Sequence, residues 1–186
     1  MRNDVGKSES GKPKADRQPE TVSVTGQNLD FGFRISDFEL PNLAATTAFG
    51  HRLGQLLFPG CVVALIGPLG AGKTYLVRAI AEGLGIADSR VVSSPTFVLI
   101  QEYQARLPIY HFDAYRLRTE AEFFDLGAHE YFAGEGVCLI EWADRVSSCL
   151  PAEYLRVELS VTGETSRRAV FQPIGKRYEE LMGAII

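Results

Sequence analysis

Residues 61–78 read CVVALIGPLGAGKTYLVR, an apolar run that breaks into glycines and resumes as a helical pattern. The segment from Gly67 to Thr74 fits the phosphate-loop pattern G-x-x-x-x-G-K-[ST]. Glycine is needed there because the chain wraps closely around a phosphate with its N–H groups turned inward, in conformations that a Cβ disfavours. The stretch therefore predicts a buried strand over 61–66, a phosphate-binding loop and a helix over 74–84.

Such a loop offers a nucleotide several contacts. Its amides donate hydrogen bonds to phosphate oxygens. The dipole of the following helix adds the equivalent of roughly half a positive charge at the helix N-terminus, which also attracts phosphate. Lys73 carries a mobile positive charge for the β- and γ-phosphates. The hydroxyl of Thr74 is a hard oxygen ligand for Mg²⁺. A nucleotide phosphate site is the resulting prediction, and a Gly-rich turn that merely permits close packing is the alternative.

Composition narrows the class of protein. With 186 residues the chain has room for one α/β domain. Its composition, with 46% hydrophobic and 23% charged residues, is ordinary for a soluble protein. No apolar run approaches the roughly 18 residues of a membrane span, and no secretory signal is visible, so a cytoplasmic protein without membrane contact is expected. The net charge of −4 argues against a broad nucleic-acid surface. Three cysteines without metal-ligand spacing predict neither a disulfide nor a zinc site.

The chain divides into a tail and a domain. Residues 1–28 contain few sizeable apolar side chains and cannot bury enough surface to offset the entropy of ordering them. They are predicted to be a disordered extension, and residues 29–186 to be one phosphate-loop domain. From Phe38 to Leu57, apolar residues at roughly helical intervals predict a surface helix that packs on the sheet.

Two pairs of short strand-like segments predict antiparallel hairpins. Residues 98–103 and 108–112 are separated by a short polar link, and 155–161 and 168–173 by Thr-Gly-Glu-Thr-Ser. Strands normally alternate with helices in a nucleotide-binding domain, so the hairpins imply a mixed sheet. Residues 121–134 are predicted to form one or two short helices. The expected fold is a single α/β domain of the P-loop NTPase type, with a mixed sheet, antiparallel hairpins and flanking helices.

A phosphate loop needs a carboxylate on the metal side, near the end of a neighbouring strand. Glu141 ends the apolar run 137–140 and is the first candidate. Asp113 and Glu102 compete with it, and Asp113 is equally interpretable as the cap of a following helix. The turn 93–96 carries hydroxyls for the γ-phosphate or its attacking water, and a plain turn is the alternative.

Together these motifs resemble the TsaE (YjeE) family, small bacterial ATPases of tRNA threonylcarbamoyladenosine synthesis. The resemblance runs from about Leu40 to Arg168. Two positions depart from the family pattern: Pro68 replaces an Asp, and Ala114 stands where Leu is common. The segments that carry the resemblance, by their order and spacing, are Gly67-x-Leu-Gly-Ala-Gly-Lys-Thr74, Ser94-Pro-Thr-Phe97, Tyr110-His-Phe-Asp-x-Tyr-Arg-Leu117, Leu126-Gly127, Glu130-Tyr131 and Leu139-Ile-Glu-Trp142.

The resemblance implies an ATPase that uses Mg²⁺ and serves the TsaD–TsaB pair, which transfers a threonylcarbamoyl group to tRNA. Low basal hydrolysis, stimulation by the partner pair, and contact with tRNA only through the complex are expected. The residues implied to hold the phosphates are Leu69, Gly70, Ala71, Gly72, Lys73 and Thr74. The residues implied to bind the metal are Thr74 and Glu141. Those implied to take part in catalysis are Lys73, Glu141, Asp113 and Thr96. Asn42 and Arg168 are implied to lie on the base side of the nucleotide.

Two other functions fit a phosphate loop. A small-molecule or nucleotide kinase uses the same loop for phosphoryl transfer to an acceptor other than water. Its acceptor pocket needs clustered arginines and usually a mobile lid, whereas the arginines here are scattered and no lid-like insertion is visible. A nucleotide-dependent binding module with negligible hydrolysis is the third interpretation, because the sequence offers no obvious water-activating base beyond the candidates named.

Overall fold

The computed structural model describes residues 23–30 and 33–185 of the chain. Its strands are β1 (Ser23–Asp30), β2 (Phe33–Leu40), β3 (Val62–Ile66), β4 (Ile100–Tyr103), β5 (Ile109–Asp113), β6 (Val137–Glu141), β7 (Tyr154–Val161) and β8 (Arg167–Ile174). Its α-helices are α1 (Leu43–Leu56), α2 (Lys73–Gly83), α3 (Glu120–Asp125), α4 (Ala128–Phe132) and α5 (Lys176–Ile185), and 3-10 segments cover Ser89–Val91 and Ala143–Cys149. None of the helices described is long and apolar enough to cross a membrane.

One mixed sheet contains all eight described strands, in the order β1-β2-β8-β7-β3-β6-β5-β4. The central strands β7, β3, β6 and β5 run parallel to one another. Antiparallel strands extend the sheet on both sides, with β4 next to β5 on one side and β8, β2 and β1 on the other. The two predicted hairpins, β4–β5 and β7–β8, and the predicted mixed sheet are therefore confirmed.

Strand β3 is buried on both faces of the sheet. Val63 and Leu65 pack in a core cluster that includes residues of α1, α2 and α5. Val62 and Ala64 pack in a second cluster, with residues of α3, α4 and the Ala143–Cys149 segment. Because side chains alternate across a strand, the two clusters lie on opposite faces of the sheet. The unbroken apolar run of β3 is what a strand covered by helices on both faces requires.

The N-terminal boundary differs from the prediction. Residues 23–28, assigned from composition to a disordered extension, belong to β1, which pairs antiparallel with β2. Residues 1–22 lie outside the described residues. Phe38, taken as the approach to the first helix, lies in β2 opposite Ala169 of β8. Composition missed this hairpin because its order comes from backbone pairing with a strand that is distant in sequence.

The four parallel strands place the chemically interesting residues at one edge of the sheet. Ile66 leads from β3 into the phosphate loop, and Val161 leads from β7 into the turn 162–166. Asp113 and Glu141 are the last residues of β5 and β6 and stand opposite each other in register. In open α/β sheets the carboxyl edge of the parallel strands is where ligands bind.

Helices α1 and α2 approach each other closely at glycines, and this gives a first prediction. A Cβ at Gly54 would clash with the carbonyl oxygen of Ile80 and lie 3.0 Å from the Cα of Gly83. Since both obstacles are backbone atoms, Gly54→Ala is expected to lower the free energy of unfolding by about 1–3 kcal/mol. Urea denaturation measures this change.

Gly183 in α5 provides the matched control, because a Cβ there meets open space. Gly183→Ala is expected to raise the free energy of unfolding by up to about 1 kcal/mol, as alanine does in a helix interior. A Gly54→Ala variant as stable as the unmodified protein would contradict the close approach of the two helices.

Candidate functional site

The phosphate loop follows β3 directly and has the backbone that its glycines predict. Gly67, Gly70 and Gly72 have φ angles of 146°, 80° and 99°, in the region that strains residues with a Cβ. At Gly67 a Cβ would also clash with the carbonyl oxygen of Leu159 on the neighbouring strand β7. Substitution of this glycine is therefore disfavoured by backbone conformation and by space.

The loop ends at the N-terminus of α2. The N-cap residue Gly72 supplies no side-chain hydrogen bond to the first amides of the helix. Amides of a first helical turn lack intrahelical acceptors, so together with the helix dipole they suit an anion. The residues therefore fit the phosphate groups of a nucleotide.

A cleft of about 430 Å³ opens above the loop. The predicted site residues that line it are Leu69, Gly70, Gly72, Lys73, Thr74, Thr96, Asp113 and Glu141. Ala71 is fully buried, and its N–H donates to the carbonyl oxygen of Pro68 within the loop. The structure thus brings the loop, two of the three candidate carboxylates and the hydroxyl turn to one cleft. The third candidate, Glu102, does not line the cleft and accepts a hydrogen bond from the hydroxyl of Tyr131 at 3.1 Å.

Lys73 reaches back along its own loop. Its Nζ donates to the carbonyl oxygens of Gly67 at 2.7 Å and Pro68 at 3.0 Å, and lies 3.6 Å from the centre of the Trp142 ring. The residue is only 4% exposed, and this burial lowers the pKa of its ammonium group. Nearby carboxylates, first among them Glu141, oppose that shift. The ammonium is therefore held between the loop and the carboxylate side of the cleft.

Glu141 joins the loop to the sheet. Its Oε2 accepts a hydrogen bond from the hydroxyl of Thr74 at 2.9 Å, and its Oε1 lies 2.9 Å from Nε2 of His111. Glu141 and His111 are both buried. Because an ionised carboxylate only accepts, Nε2 carries the hydrogen in this pair, and Nδ1 has no hydrogen-bond partner among the described residues. Both carboxylate oxygens of Glu141 are thus held in fixed directions.

Asp113 organises the hydroxyl turn. Its Oδ2 accepts from the hydroxyl of Thr96 at 2.8 Å and from that of Ser94, and its Oδ1 accepts from the N–H of Tyr115 at 2.8 Å. The helix-capping interpretation of Asp113 is wrong, because Thr119 is the N-cap of α3. Asp113 therefore fixes the turn from Ser94 to Thr96 against the end of β5.

The oxygen ligands at Thr74 and Glu141 fit Mg²⁺. The hydroxyl and carboxylate are hard donors 2.9 Å apart, and Mg²⁺ typically takes one or two protein ligands with substrate phosphates and waters. Asp113 is instead engaged with the hydroxyl turn. Among the described residues, no group of three or more His, Cys, Asp or Glu side chains is arranged to hold a metal. The fit is therefore to an ion shared with a nucleotide.

Comparison with known proteins shows the family to which the chain belongs. The model of the family described as "Threonylcarbamoyl adenosine biosynthesis protein TsaE" matches residues 40–170. The chain belongs to the TsaE family. It is 49% identical over 141 residues to tRNA threonylcarbamoyladenosine biosynthesis protein TsaE of Bacillus subtilis, across 75% of this chain and 87% of that protein. The protein of the same name from Treponema pallidum is 46% identical over 122 residues, across 66% of this chain and 89% of the relative.

A solved structure agrees as well. The crystal structure of Bacillus subtilis YdiB superposes with a TM-score of 0.72 at 37% identity, covering 82% of this chain and 95% of that one. The family recognised in the sequence and the fold expected from it are thus confirmed. The TsaE match includes the phosphate loop and all the cleft residues named, so the process in which the chain takes part is tRNA threonylcarbamoyladenosine biosynthesis.

Two residues that the TsaE resemblance placed near the base are not brought to the cleft. Asn42 is the N-cap of α1, where its Oδ1 accepts from the N–H of Ala45 at 2.8 Å. The guanidinium of Arg168 donates to Asp37, from Nε at 2.9 Å and 3.1 Å to the two carboxylate oxygens. Side chains alternate along a strand, and the neighbouring Arg167 reaches the phosphate loop instead. Neither residue lines the cleft, and contact of Asn42 and Arg168 with the base stays a prediction.

Two aromatic residues in the cleft have no counterpart among the predicted site residues. Trp142 follows Glu141 in a left-handed conformation, with φ of 58°, and its ring packs on that of Tyr115 at 4.9 Å between centroids. Both residues line the cleft. The only sequence signal for Trp142 is its position after the metal-side carboxylate, because a left-handed tryptophan cannot be inferred from residue preference.

Proposed function

We propose that this TsaE-family protein binds and hydrolyses ATP with Mg²⁺ and thereby supports turnover of the TsaD–TsaB complex. The hydrogen bond between Thr74 and Glu141 carries this proposal, because it brings the end of the phosphate loop and a fixed carboxylate to one point in the cleft. That pairing is what a metal-dependent phosphate site requires. Phosphate release measured with and without magnesium and the partner pair tests the proposal.

The loop and helix bind the phosphates. Amides of the loop and of the first turn of α2 donate to the phosphate oxygens, and Lys73 places its ammonium beside them. Thr74 and Glu141 would hold a magnesium ion, whose charge would offset the negative charge of the β- and γ-phosphates. His111 keeps the Glu141 carboxylate turned toward Thr74.

Asp113 and its hydroxyl turn act on the water side. The carboxylate receives the hydroxyl hydrogens of Ser94 and Thr96, so the remaining oxygen lone pairs of the turn are available to a water that donates to them. All three residues line the cleft with the phosphate loop. We therefore assign to them the positioning of the attacking water, a role that lowers the entropic cost of the reaction.

Slow hydrolysis by the isolated protein follows from the charges in the cleft. Among the described residues that line it, Lys73 is the one cation. Phosphate-loop enzymes whose transition state lacks a further positive charge are slow until a partner supplies an arginine or orders a switch segment. Phe97, next to the hydroxyl turn, is 83% exposed and is available to such a partner.

We predict that phosphate release at saturating ATP is weak for the protein alone and rises several-fold across a titration with the TsaD–TsaB pair. Thr96→Ala is expected to depress the stimulated rate more than it depresses nucleotide affinity, because Thr96 contacts Asp113 and not the phosphate loop. Ser160→Ala, which removes an exposed hydroxyl on β7, is the matched control and should behave like the unmodified protein. A flat titration, with rapid phosphate transfer to a small acceptor, would favour a kinase instead.

A further inference from the structure

One guanidinium group connects two distant parts of the chain. Arg167, the first residue of β8, donates from Nε to the carbonyl oxygen of Ala71 at 2.9 Å and from Nη2 to that of Gly70 at 3.3 Å. Its Nη1 donates to the carbonyl oxygen of Ser166 at 2.8 Å, within its own hairpin turn. The turn between β7 and β8 is thereby fastened to the phosphate loop.

The carbonyl of Ala71 controls the direction of a loop amide that faces the cleft, whereas the peptide of Gly70 directs its N–H, that of Ala71, to the carbonyl oxygen of Pro68. A trans peptide is planar, so fixing a C=O also fixes the N–H of the next residue, which points the opposite way. The carbonyl of Ala71 shares its peptide with the N–H of Gly72, a residue that lines the cleft. Ala71 stands between Gly70 and Gly72, and glycines leave the neighbouring peptides free to rotate. Arg167 therefore restrains residues 70–72, the part of the loop whose backbone the glycines leave most flexible.

Arg167 also brings a positive charge to the loop. Among the described residues, every hydrogen bond of its guanidinium goes to a backbone carbonyl and no carboxylate forms an ion pair with it. A Cβ on Gly72 would lie 3.6 Å from its Nε. A charge so placed favours an anionic ligand without touching it.

We propose that Arg167 is a positioning residue of the nucleotide site, which holds the peptide between Ala71 and Gly72 in the orientation that turns the N–H of Gly72 toward phosphate. The inference rests on the proposed nucleotide site and adds to it a residue from the far end of the sequence. Arg167 does not line the cleft, so it acts through the loop backbone. Because the loop binds the β-phosphate in both reactant and transition state, its loss weakens binding more than it slows turnover.

Three variants test this inference. Arg167→Met removes both the charge and the hydrogen bonds, and Arg167→Lys keeps the charge but cannot span the two carbonyls. Arg156→Met is the control, because the guanidinium of Arg156 pairs with Glu158 on the surface and the residue does not line the cleft. Calorimetric titration with Mg–ADP measures the dissociation constant, and partner-stimulated phosphate release gives KM and kcat.

Arg167→Met is expected to raise the dissociation constant for Mg–ADP and KM for ATP by about tenfold or more, with kcat nearly unchanged. Arg167→Lys should raise both by a smaller factor, and Arg156→Met should change neither. A purely structural role would lower the fraction of protein that binds, seen as reduced stoichiometry, without moving the dissociation constant.

The outcomes separate the two proposals. If the unmodified protein binds Mg–ADP and Arg167→Met binds it equally well, the positioning role is overturned and the proposed function stands. If the unmodified protein binds neither ATP nor ADP, the proposed function fails and the positioning role fails with it. Should Arg167→Met not fold, Arg167→Lys decides, and an unchanged dissociation constant in that variant overturns the positioning role.

Discussion

Lys73→Ala is expected to abolish ATP hydrolysis and to weaken binding of both ATP and ADP strongly. The ammonium is the one cation among the described residues lining the cleft, so no other side chain there can replace its charge beside the phosphates. Loss of a charge-assisted contact to a phosphate typically costs on the order of 1.5–3 kcal/mol, or about 10-fold to 150-fold in affinity. Calorimetric titration and phosphate release measure the two effects.

Two further variants control for indirect effects. Lys73→Met keeps an unbranched side chain but loses the ammonium that lies 3.6 Å from the centre of the Trp142 ring, and it should lose hydrolysis to the same degree. Lys176→Ala removes an exposed lysine whose ammonium lies 3.9 Å from Glu180, and it should leave binding and hydrolysis unchanged. Unchanged nucleotide affinity in a folded Lys73→Ala protein would refute the phosphate site.

The parts of the site that could be predicted are those that depend on local sequence. Glycines with positive φ, a lysine and a hydroxyl occupy adjacent positions in one loop, so the motif fixes their geometry by itself. Asp113 and Glu141 were found because each ends an apolar strand, and parallel strands end at the same edge of the sheet. Strand position thus predicted which carboxylates reach the cleft.

Strand position did not reveal how the two carboxylates divide their work. Asp113 and Glu141 stand opposite each other in register, yet Glu141 binds the hydroxyl of Thr74 whereas Asp113 binds those of Ser94 and Thr96. The division depends on where α2 and the hydroxyl turn meet the sheet. That is a tertiary contact, which a strand pattern cannot encode.

The missed arginine has a simple physical explanation. Arg167 and Arg168 are adjacent in β8, and successive side chains of a strand point to opposite faces of the sheet. Which arginine faces the phosphate loop therefore depends on the phase of this alternation, that is, on which residues of the strand point to which face. The predicted strand began at Arg168, one residue later than β8, so the phase could not be read from its start. In the structure, pairing of β8 with β7 and β2 sets the phase. Adjacent β1 and β2 were misassigned for a related reason, since β2 joins the sheet through a nonlocal pairing with β8.

The division of labour between the carboxylates leads to the second large effect. Glu141→Gln is expected to leave a folded protein that still binds nucleotide but hydrolyses ATP at least about tenfold more slowly, because one positioned charge on the metal side is lost. Glutamine has nearly the shape of glutamate, and its amide oxygen can still accept from Thr74. The amide NH2 then donates to Nε2 of His111, whose hydrogen moves to Nδ1, an atom without a hydrogen-bond partner among the described residues. The midpoint of a magnesium titration should also rise.

Asp113→Asn separates the metal side of the cleft from its water side. This variant is expected to lower the stimulated rate while leaving the magnesium midpoint unchanged, because Asp113 contacts the hydroxyl turn and not Thr74. Glu135→Gln, a substitution of an exposed carboxylate, is the control for general charge effects. Phosphate release across a magnesium titration compares the three variants. If Asp113→Asn raises the magnesium midpoint and Glu141→Gln does not, the two carboxylates exchange the roles assigned to them.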